Sequence, residues 1–596
     1  MSLKMGLKLE KGIFFALLIY LLAEEFGGWG GRLLLLSSFF LLRALFLVFF
    51  QAPRSARWLA IGPGALISIG SQIKHRYLDY PLYFWDLKFL LGRDQWDVLN
   101  HYAGRTGAVL LVCILIGGLG VGTWTVLRER RRYRWMNLAE GRGLWGSGTR
   151  SLGWQLVIGL MMVGGSWGWL MREARTWVHP DLMGFRHPFA VFWVSSLSTR
   201  IELVPSPREE HRPVDGEQAL APVISRGEVP RVKPNLIMIL QESAMDPRIL
   251  SAHWSQETRW NPMVEAGALH GPLQVHVFGG GTWCSEFTSL VGLPTSSLGL
   301  LGGYATYLLE GKVNHSLVSS LKYQGYRTIS LYPGPGEFVN GGPFHRKLGF
   351  DAFRDFHDRK GFGRSYWSLT DREVYETALE QMADHFQKHP EQPLFTWVKT
   401  IRNHGPHGLD CSGRDFSRVD SLLEAGGFSP LEHCDLRDYL DRYQQAVEGY
   451  AWFRSELAKR FPQRSFSIAQ FGDHQPASTE GLQDSAGNPV LKPWEKLQTY
   501  FAIDRIGGKA APYSERFQSL QKALGSQGLD LAYLGAYWLE SVGLPLTKVE
   551  QLRLQTARVC RGAYPQDEAS PGATVDCLDA VSILHGEMKL QGNFKF

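Results

Sequence analysis

The chain has 596 residues, with 63 Lys and Arg against 57 Asp and Glu, for a net charge of +6. That length holds several domains and a sizeable core, which excludes a miniprotein stapled by disulfides or metal. The small net charge argues against a dedicated nucleic-acid binder, and 44% hydrophobic with 20% charged residues excludes a wholly disordered chain. The mean hydropathy of −0.14 averages two unlike parts.

The first part carries five apolar stretches, at about 12–24, 33–50, 58–73, 108–126 and 152–171. Each approaches the roughly 20 residues that a helix needs to cross the hydrocarbon layer. Residues 1–175 are therefore expected to form a five-helix transmembrane domain. The first stretch has a basic start but no small-residue cleavage site after it, so it reads as a span and not as a removed signal peptide. Lys4, Lys8 and Lys11, then Arg54 and Arg57, then the seven arginines of 127–150 fall on one side of five spans. The positive-inside rule makes that side the cytoplasm and places the rest of the chain in the periplasm or outside. The aromatic stretch 80–87 then faces outward at interfacial depth, and 180–200 has the composition of a helix lying on the membrane surface, with a buried packing helix as the competing reading. Residues 176–234 are assigned to this interfacial helix and a linker rich in Pro and charge.

Residues 235–596 read as one large α/β domain. Short apolar runs at 235–240, 327–332, 394–399 and 465–471 alternate with helix-like stretches such as 375–385 and 439–459. That alternation predicts a mostly parallel central sheet with helices on both faces, and ligands then sit beyond the carboxyl ends of the strands. After the first run comes Gln241-Glu242-Ser243, and after the last Gly472-Asp473-His474. After the third comes Asn403-His404-Gly405-Pro406-His407, and a glycine-rich turn leads into Thr282-Trp283-Cys284-Ser285-Glu286-Phe287. Glu242, Asp473 and His474 make a mixed oxygen and nitrogen donor set that suits one divalent metal, Zn or Mn. Thr282 stands at a helix start, where N–H groups and the helix dipole favour an anion. A hydroxyl there that also touches the metal becomes a nucleophile. Cys411 with Cys434 and Cys560 with Cys577 flank short polar loops and are expected to pair in an oxidising compartment.

These motifs, in this order, resemble the sulfatase-like branch of the alkaline phosphatase superfamily. More narrowly the chain resembles the membrane-bound lipoteichoic acid synthase and periplasmic phosphoglycerol transferase group. The resemblance implies a bacterial inner-membrane enzyme with an extracytoplasmic alkaline-phosphatase/sulfatase-like domain. It implies metal ligands Glu242, Thr282, Asp473 and His474, with Thr282 as nucleophile and His404 as a phosphate or leaving-group contact. His407, Asn340 and Glu286 are further candidates for substrate contact. The implied reaction moves a phospho-headgroup, phosphoglycerol from phosphatidylglycerol first, from a membrane phospholipid donor to an envelope glycan or lipid acceptor through a phospho-threonine. Phosphoethanolamine transfer is the alternative on the same fold, and a non-catalytic, membrane-anchored glycan-binding protein is the alternative of another class. Two departures are visible. No Cys/Ser-x-Pro-x-Arg surrounds Thr282 or Cys284, which argues against sulfate ester hydrolysis. The arginine that the synthases carry before the His motif is missing from 332–342; Asn340 in that stretch, or His345-Arg346 just past it, are the residues at hand to replace it.

Overall fold

The computed structural model describes residues 2–24, 29–78, 82–84, 86, 95–139, 154, 157–161, 233–254, 268–358, 366–409, 411–483, 487–507, 513–524, 528–566, 570 and 572–588. Two compact units divide the chain, Met1–Thr199 and Arg200–Phe596.

The first unit holds α1 (Ser2–Glu24), α2 (Trp29–Phe50), α3 (Pro53–Leu78) and α4 (Gln95–Ala139). The first four apolar stretches fall one in each of these helices. Phe14, Leu21, Leu35, Phe39, Ala60, Ile61 and Ile67 bury one another between the first three. The start of α3 is satisfied from α4: Glu129 accepts the Arg54 and Ser55 backbone N–H groups at 2.7 and 2.8 Å, which fills donors that a helix start leaves open. Among the described residues one stretch, Arg32–Phe50, is long and apolar enough to cross a membrane. Five spans go beyond that observation and belong to the proposal below. Most of 152–171, all of 180–200 and half of 80–87 lie outside the described residues.

The second unit is built on one sheet of eight strands: β1 (Asn235–Gln241), β2 (Leu269–Gln274), β3 (Arg327–Leu331), β4 (Ala352–Arg354), β5 (Leu394–Lys399), β6 (Phe466–Gly472), β7 (Gln498–Ile506) and β8 (Leu529–Asp530). Their order is β4-β3-β5-β1-β6-β7-β2-β8. The four apolar runs of the sequence are β1, β3, β5 and β6, and with the edge strand β4 they form a parallel block. β7 runs antiparallel to both β6 and β2. The sequence reading did not single out β2, whose Gly271 and Pro272 disguise it as a loop; it survives because β7 supplies a full register of partners.

The helices of this unit are α5 (Thr282–Val291), α6 (Leu317–Tyr323), α7 (Gly341–Leu348), α8 (Asp371–Lys388), α9 (Ser417–Ala425), α10 (Cys434–Arg460), α11 (Glu515–Leu524), α12 (Leu531–Ser541), α13 (Lys548–Val559) and α14 (Val575–Met588). Strand alternation sorts the core. Ile237, Ile239, Leu394 and Val398 pack with Tyr375, Leu379, Phe453 and Leu457 of α8 and α10. On the other face Phe395 meets Trp538 of α12, and Trp397 meets His345 of α7 with ring centroids 4.9 Å apart. Every residue of β1 and β6 is buried. Gly472 ends β6 because a Cβ there would lie 1.7 Å from the Ala244 carbonyl oxygen, so the segments that leave β1 and β6 can touch. That close approach positions the site. Disulfides join Cys411 to Cys434 and Cys560 to Cys577, the second between the end of α13 and the start of α14. Residues 546–588, which carry no legible motif, are thus a stapled helical pair that packs beside α12.

Candidate active site

Glu242, Asp473, His474 and Thr282 come from three elements and converge beyond the carboxyl ends of β1 and β6. All four are buried. Thr282 Oγ1 lies 3.2 Å from Glu242 Oε2 and 3.3 Å from His474 Nε2, and His474 Nε2 lies 3.3 Å from Asp473 Oδ2. The candidate ligand atoms of Glu242, Asp473 and His474 are all within 4.8 Å of one another.

Local bonds aim each group. Thr400, just past β5, accepts the Glu242 N–H at 2.9 Å. Asp473 Oδ1 accepts the Ser243 and His474 N–H groups at 2.7 and 2.9 Å, which leaves Oδ2 for the cluster. His474 Nδ1–H donates to the Gln475 carbonyl at 2.8 Å, so the Nε2 lone pair faces inward. Thr282 is the first residue of α5. Its cap is Gly281 at φ +80°, a left-handed turn that suits glycine and brings the helix start against the strand ends.

The electrostatics fit a cation. Desolvation pushes the Glu242 carboxyl up, but electrostatic interaction with His404, His474 and Lys399 and the Ser243 hydrogen bond outweigh it and hold the group below the usual carboxylate range. Desolvation and then the Glu242 charge push Asp473 up to about 7. Among the described residues Asp473 Oδ2 is buried with no hydrogen-bond partner. Two buried carboxylates and an imidazole, with one oxygen left unbonded, match the oxygen and nitrogen donors of Zn²⁺ or Mn²⁺.

The other expected residues divide. His404 sits within electrostatic reach of Glu242, packs against Trp367 with tilted rings 4.6 Å apart and gives its Nδ1–H to the Gly405 carbonyl; burial lowers its pKa. His407 bonds back to the Asn403 carbonyl at 2.9 Å and packs on Tyr439, and burial pushes it down to about 3. Asn340 spends its amide N–H groups on the Thr306 carbonyl and Glu310 Oε2, at 2.9 Å each. Neither is brought to the cluster. Glu286 is one helical turn past Thr282, fully buried, and binds His345 Nε2 at 2.6 Å. Arg346 lies over the Phe353 ring at 5.4 Å.

The sequence reading passed over Lys399 and Tyr332. Lys399 ends β5 with 6% exposure, bonds the Tyr332 hydroxyl at 3.1 Å and stands 3.8 Å from Glu286 Oε2. A lysine that closes an apolar strand run was the available signal, since such residues are almost never buried without a partner.

The sulfatase family model matches residues 234–532, and the chain belongs to that family. A Haemophilus influenzae relative described as an uncharacterized protein is 24% identical over 487 residues, covering 79% of this chain and 80% of its own. Among solved structures, Streptococcus pyogenes phosphoglycerol transferase GacH, in complex with sn-glycerol-1-phosphate, is 17% identical over 63% of this chain and 91% of its own, with a TM-score of 0.42. The integral membrane lipooligosaccharide phosphoethanolamine transferase A of Neisseria meningitidis is 12% identical over 87% of this chain and 95% of its own, with a TM-score of 0.44. The Listeria monocytogenes lipoteichoic acid synthase LtaP is 15% identical over 55% and 77%, with a TM-score of 0.40.

Proposed function

We propose that this protein is a membrane-anchored transferase that moves phosphoglycerol from phosphatidylglycerol to a cell-envelope glycan or lipid hydroxyl. The observation that carries the reading is the Thr282 hydroxyl, held at a helix start 3.2 Å from Glu242 and 3.3 Å from His474. A divalent metal bound by Glu242, Asp473, His474 and Thr282 would lower the pKa of that hydroxyl and neutralise charge on the phosphoryl group. Thr282 Oγ1 attacks phosphorus, the bond from phosphorus to the diacylglycerol oxygen breaks, and diacylglycerol leaves. The acceptor hydroxyl then attacks the phospho-threonine and frees Thr282. In each half-reaction the proton lost by the attacking hydroxyl ends on the departing oxygen. His404, with Nδ1–H tied to Gly405 and its pKa lowered by burial, offers Nε2 as the acceptor for that transfer. Five spans would hold the first unit in the inner membrane, with the catalytic unit outside it and in reach of lipid headgroups. The two disulfides agree with an oxidising compartment. Sulfate ester hydrolysis is not proposed, because a threonine stands at the nucleophile position without the formylglycine motif.

The test is intact-mass spectrometry of the full chain incubated with vesicles of phosphatidylglycerol and phosphatidylethanolamine, with Thr282→Ala beside it. A phosphoglycerol adduct absent from Thr282→Ala supports the reading, and a phosphoethanolamine adduct replaces the donor. No adduct on a metal-loaded protein that turns over lipid overturns the covalent step. Neither adduct nor metal turns the assignment to glycan binding.

A further inference from the structure

The candidates for replacing the missing arginine, Asn340, His345 and Arg346, are engaged elsewhere. Asn340 is committed to Thr306 and Glu310, His345 to Glu286 and Ser330, and Arg346 lies over Phe353. Gly341 opens space there instead: a Cβ at that position would meet the Tyr332 ring at 3.3 Å and its hydroxyl at 3.4 Å. Tyr332 fills this space and turns its hydroxyl to Lys399, which arrives from the neighbouring strand.

The placement of Lys399 is specific. It pairs in register with Leu240, two residues before Glu242, and strand alternation puts Lys399 and Trp397 on the sheet face that carries α5 and α7. On α5, Thr282 and Glu286 are four residues apart and share a side. The helix therefore presents its hydroxyl to the Glu242 cluster and its carboxylate to Lys399. Among the described residues the ammonium makes one hydrogen bond, to the Tyr332 hydroxyl; Glu286 Oε2, at 3.8 Å, is in ion-pair range but too far for a second. That oxygen is itself buried without a hydrogen-bond partner. A buried ammonium with donors to spare, in the charge field of Glu242 and Asp473, is arranged for a further anion.

We propose that Lys399 is a phosphate contact of this site, a cation delivered from β5 and held by Tyr332, which takes the charge of a phosphoryl oxygen when the donor's phosphodiester binds. The proposal rests on the phosphodiester-transfer reading above and deepens it. Glu286 then acts as the internal counter-ion that holds the ammonium until the substrate anion arrives.

The experiment measures binding of inorganic phosphate to the zinc-loaded full chain by calorimetry, with zinc content and melting temperature recorded for each variant. Lys399→Met keeps the length and removes the charge, and it weakens phosphate binding by about tenfold or more, the loss expected of one charge-assisted hydrogen bond. Lys399→Arg keeps most of the affinity. Glu286→Gln, which preserves a hydrogen-bonding group for His345, tightens phosphate binding by removing the competing negative charge. A lysine that only braced α5 would give the opposite sign, because loss of its partner would loosen the site. Lys399→Met with wild-type phosphate affinity and zinc content overturns the proposal, and so does a wild type that binds no phosphate. If Lys399→Met does not fold, the sign of the Glu286→Gln effect decides. Failure of the transfer reading would show separately, as a wild type that binds phosphate but forms no Thr282 adduct.

Discussion

Among the hydroxyl–imidazole–carboxylate clusters of the described residues, those of Ser296 and Thr282 differ in how completely their atoms are matched. In one, Ser296 Oγ stands 2.9 Å from His276 Nδ1, and His276 Nε2 stands 2.9 Å from Asp530 Oδ2. Asp530 Oδ1 caps α12 through the Ala532 N–H at 2.9 Å, and Gln566 donates to Ser296. One carboxylate faces one imidazole, and each named oxygen and nitrogen has a partner. In the other, Thr282 and His474 meet two carboxylates, and Asp473 Oδ2 is buried unbonded. The first cluster is complete within the protein. It ties the segment before Gly279-Gly280-Gly281 to α12 and so braces the turn that presents Thr282. The second is short of a positive charge, and that deficit, more than the residue types, marks it as the place for a metal.

The strongest way to break this contrast is to exchange the fates of the two hydroxyls. Thr282→Ala is expected to reduce headgroup transfer by at least about 10³-fold, the scale on which a lost nucleophile acts. Ser296→Ala is expected to leave it within about threefold. Single-turnover release of diacylglycerol measures both, and a larger loss at Ser296 would reverse the assignment. Next in size is the metal: Asp473→Asn is expected to weaken zinc binding by at least about 100-fold, read by chelator competition. Unchanged zinc affinity would mean that the deficit at Asp473 serves something other than a cation.

Asp371 sharpens the argument, because it too is a buried carboxylate with one unbonded oxygen, Oδ2. It lacks the second carboxylate and the imidazole; its Oδ1 instead accepts the Ile401 and Arg402 N–H groups at 3.0 and 2.9 Å. Desolvation raises its pKa from 3.8 to about 6. A raised carboxyl stabilises the fold fully below its unfolded pKa and loses that contribution as pH rises through the folded value. Asp371→Asn, neutral throughout, is expected to match wild type near pH 4 and to exceed it above pH 6 by at most about 3 kcal/mol. Denaturant melts across pH 4–7 measure the difference; a gap that is constant with pH would show that Asp371 does not titrate in this range.

The contrast also explains what the sequence showed. β1, β3, β5 and β6 announce themselves because a strand covered on both faces must be apolar along its length. The residues just past β1 and β6, Glu242 and Asp473-His474, were legible because polar groups that end such runs have few other reasons to be there. α5 was legible from its glycines. The partners of Glu286 were not: His345 comes from α7 and Lys399 from β5, and no spacing along the chain reports that a sheet register and a helix turn will bring them together. His407 and Asn340 show the opposite case. Each is polar, close in sequence to the motif and turned away from the cluster by bonds to its own neighbourhood. β2 was missed because its pairing with β7, and not its composition, makes it a strand.

The smallest expected effect tests whether the complete cluster is a brace. Asp530→Ala removes the cap of α12 and leaves His276 Nε2 without its carboxylate, and it is expected to cost about 1–2 kcal/mol of stability. The imidazole and Ser296 remain, so the segment before Gly279–Gly281 keeps its bond to Ser296, and Gly279 keeps its N–H bond to the Gln475 carbonyl. Transfer should therefore fall by a small factor, with zinc affinity within about twofold of wild type, because no ligand atom moves out of the Glu242 set. A lower melting temperature with zinc binding intact fits a brace. Zinc loss equal to that of Asp473→Asn would instead mean that the two clusters act as one site, with the His276–Asp530 pair serving the metal ligands through the turn that carries Thr282.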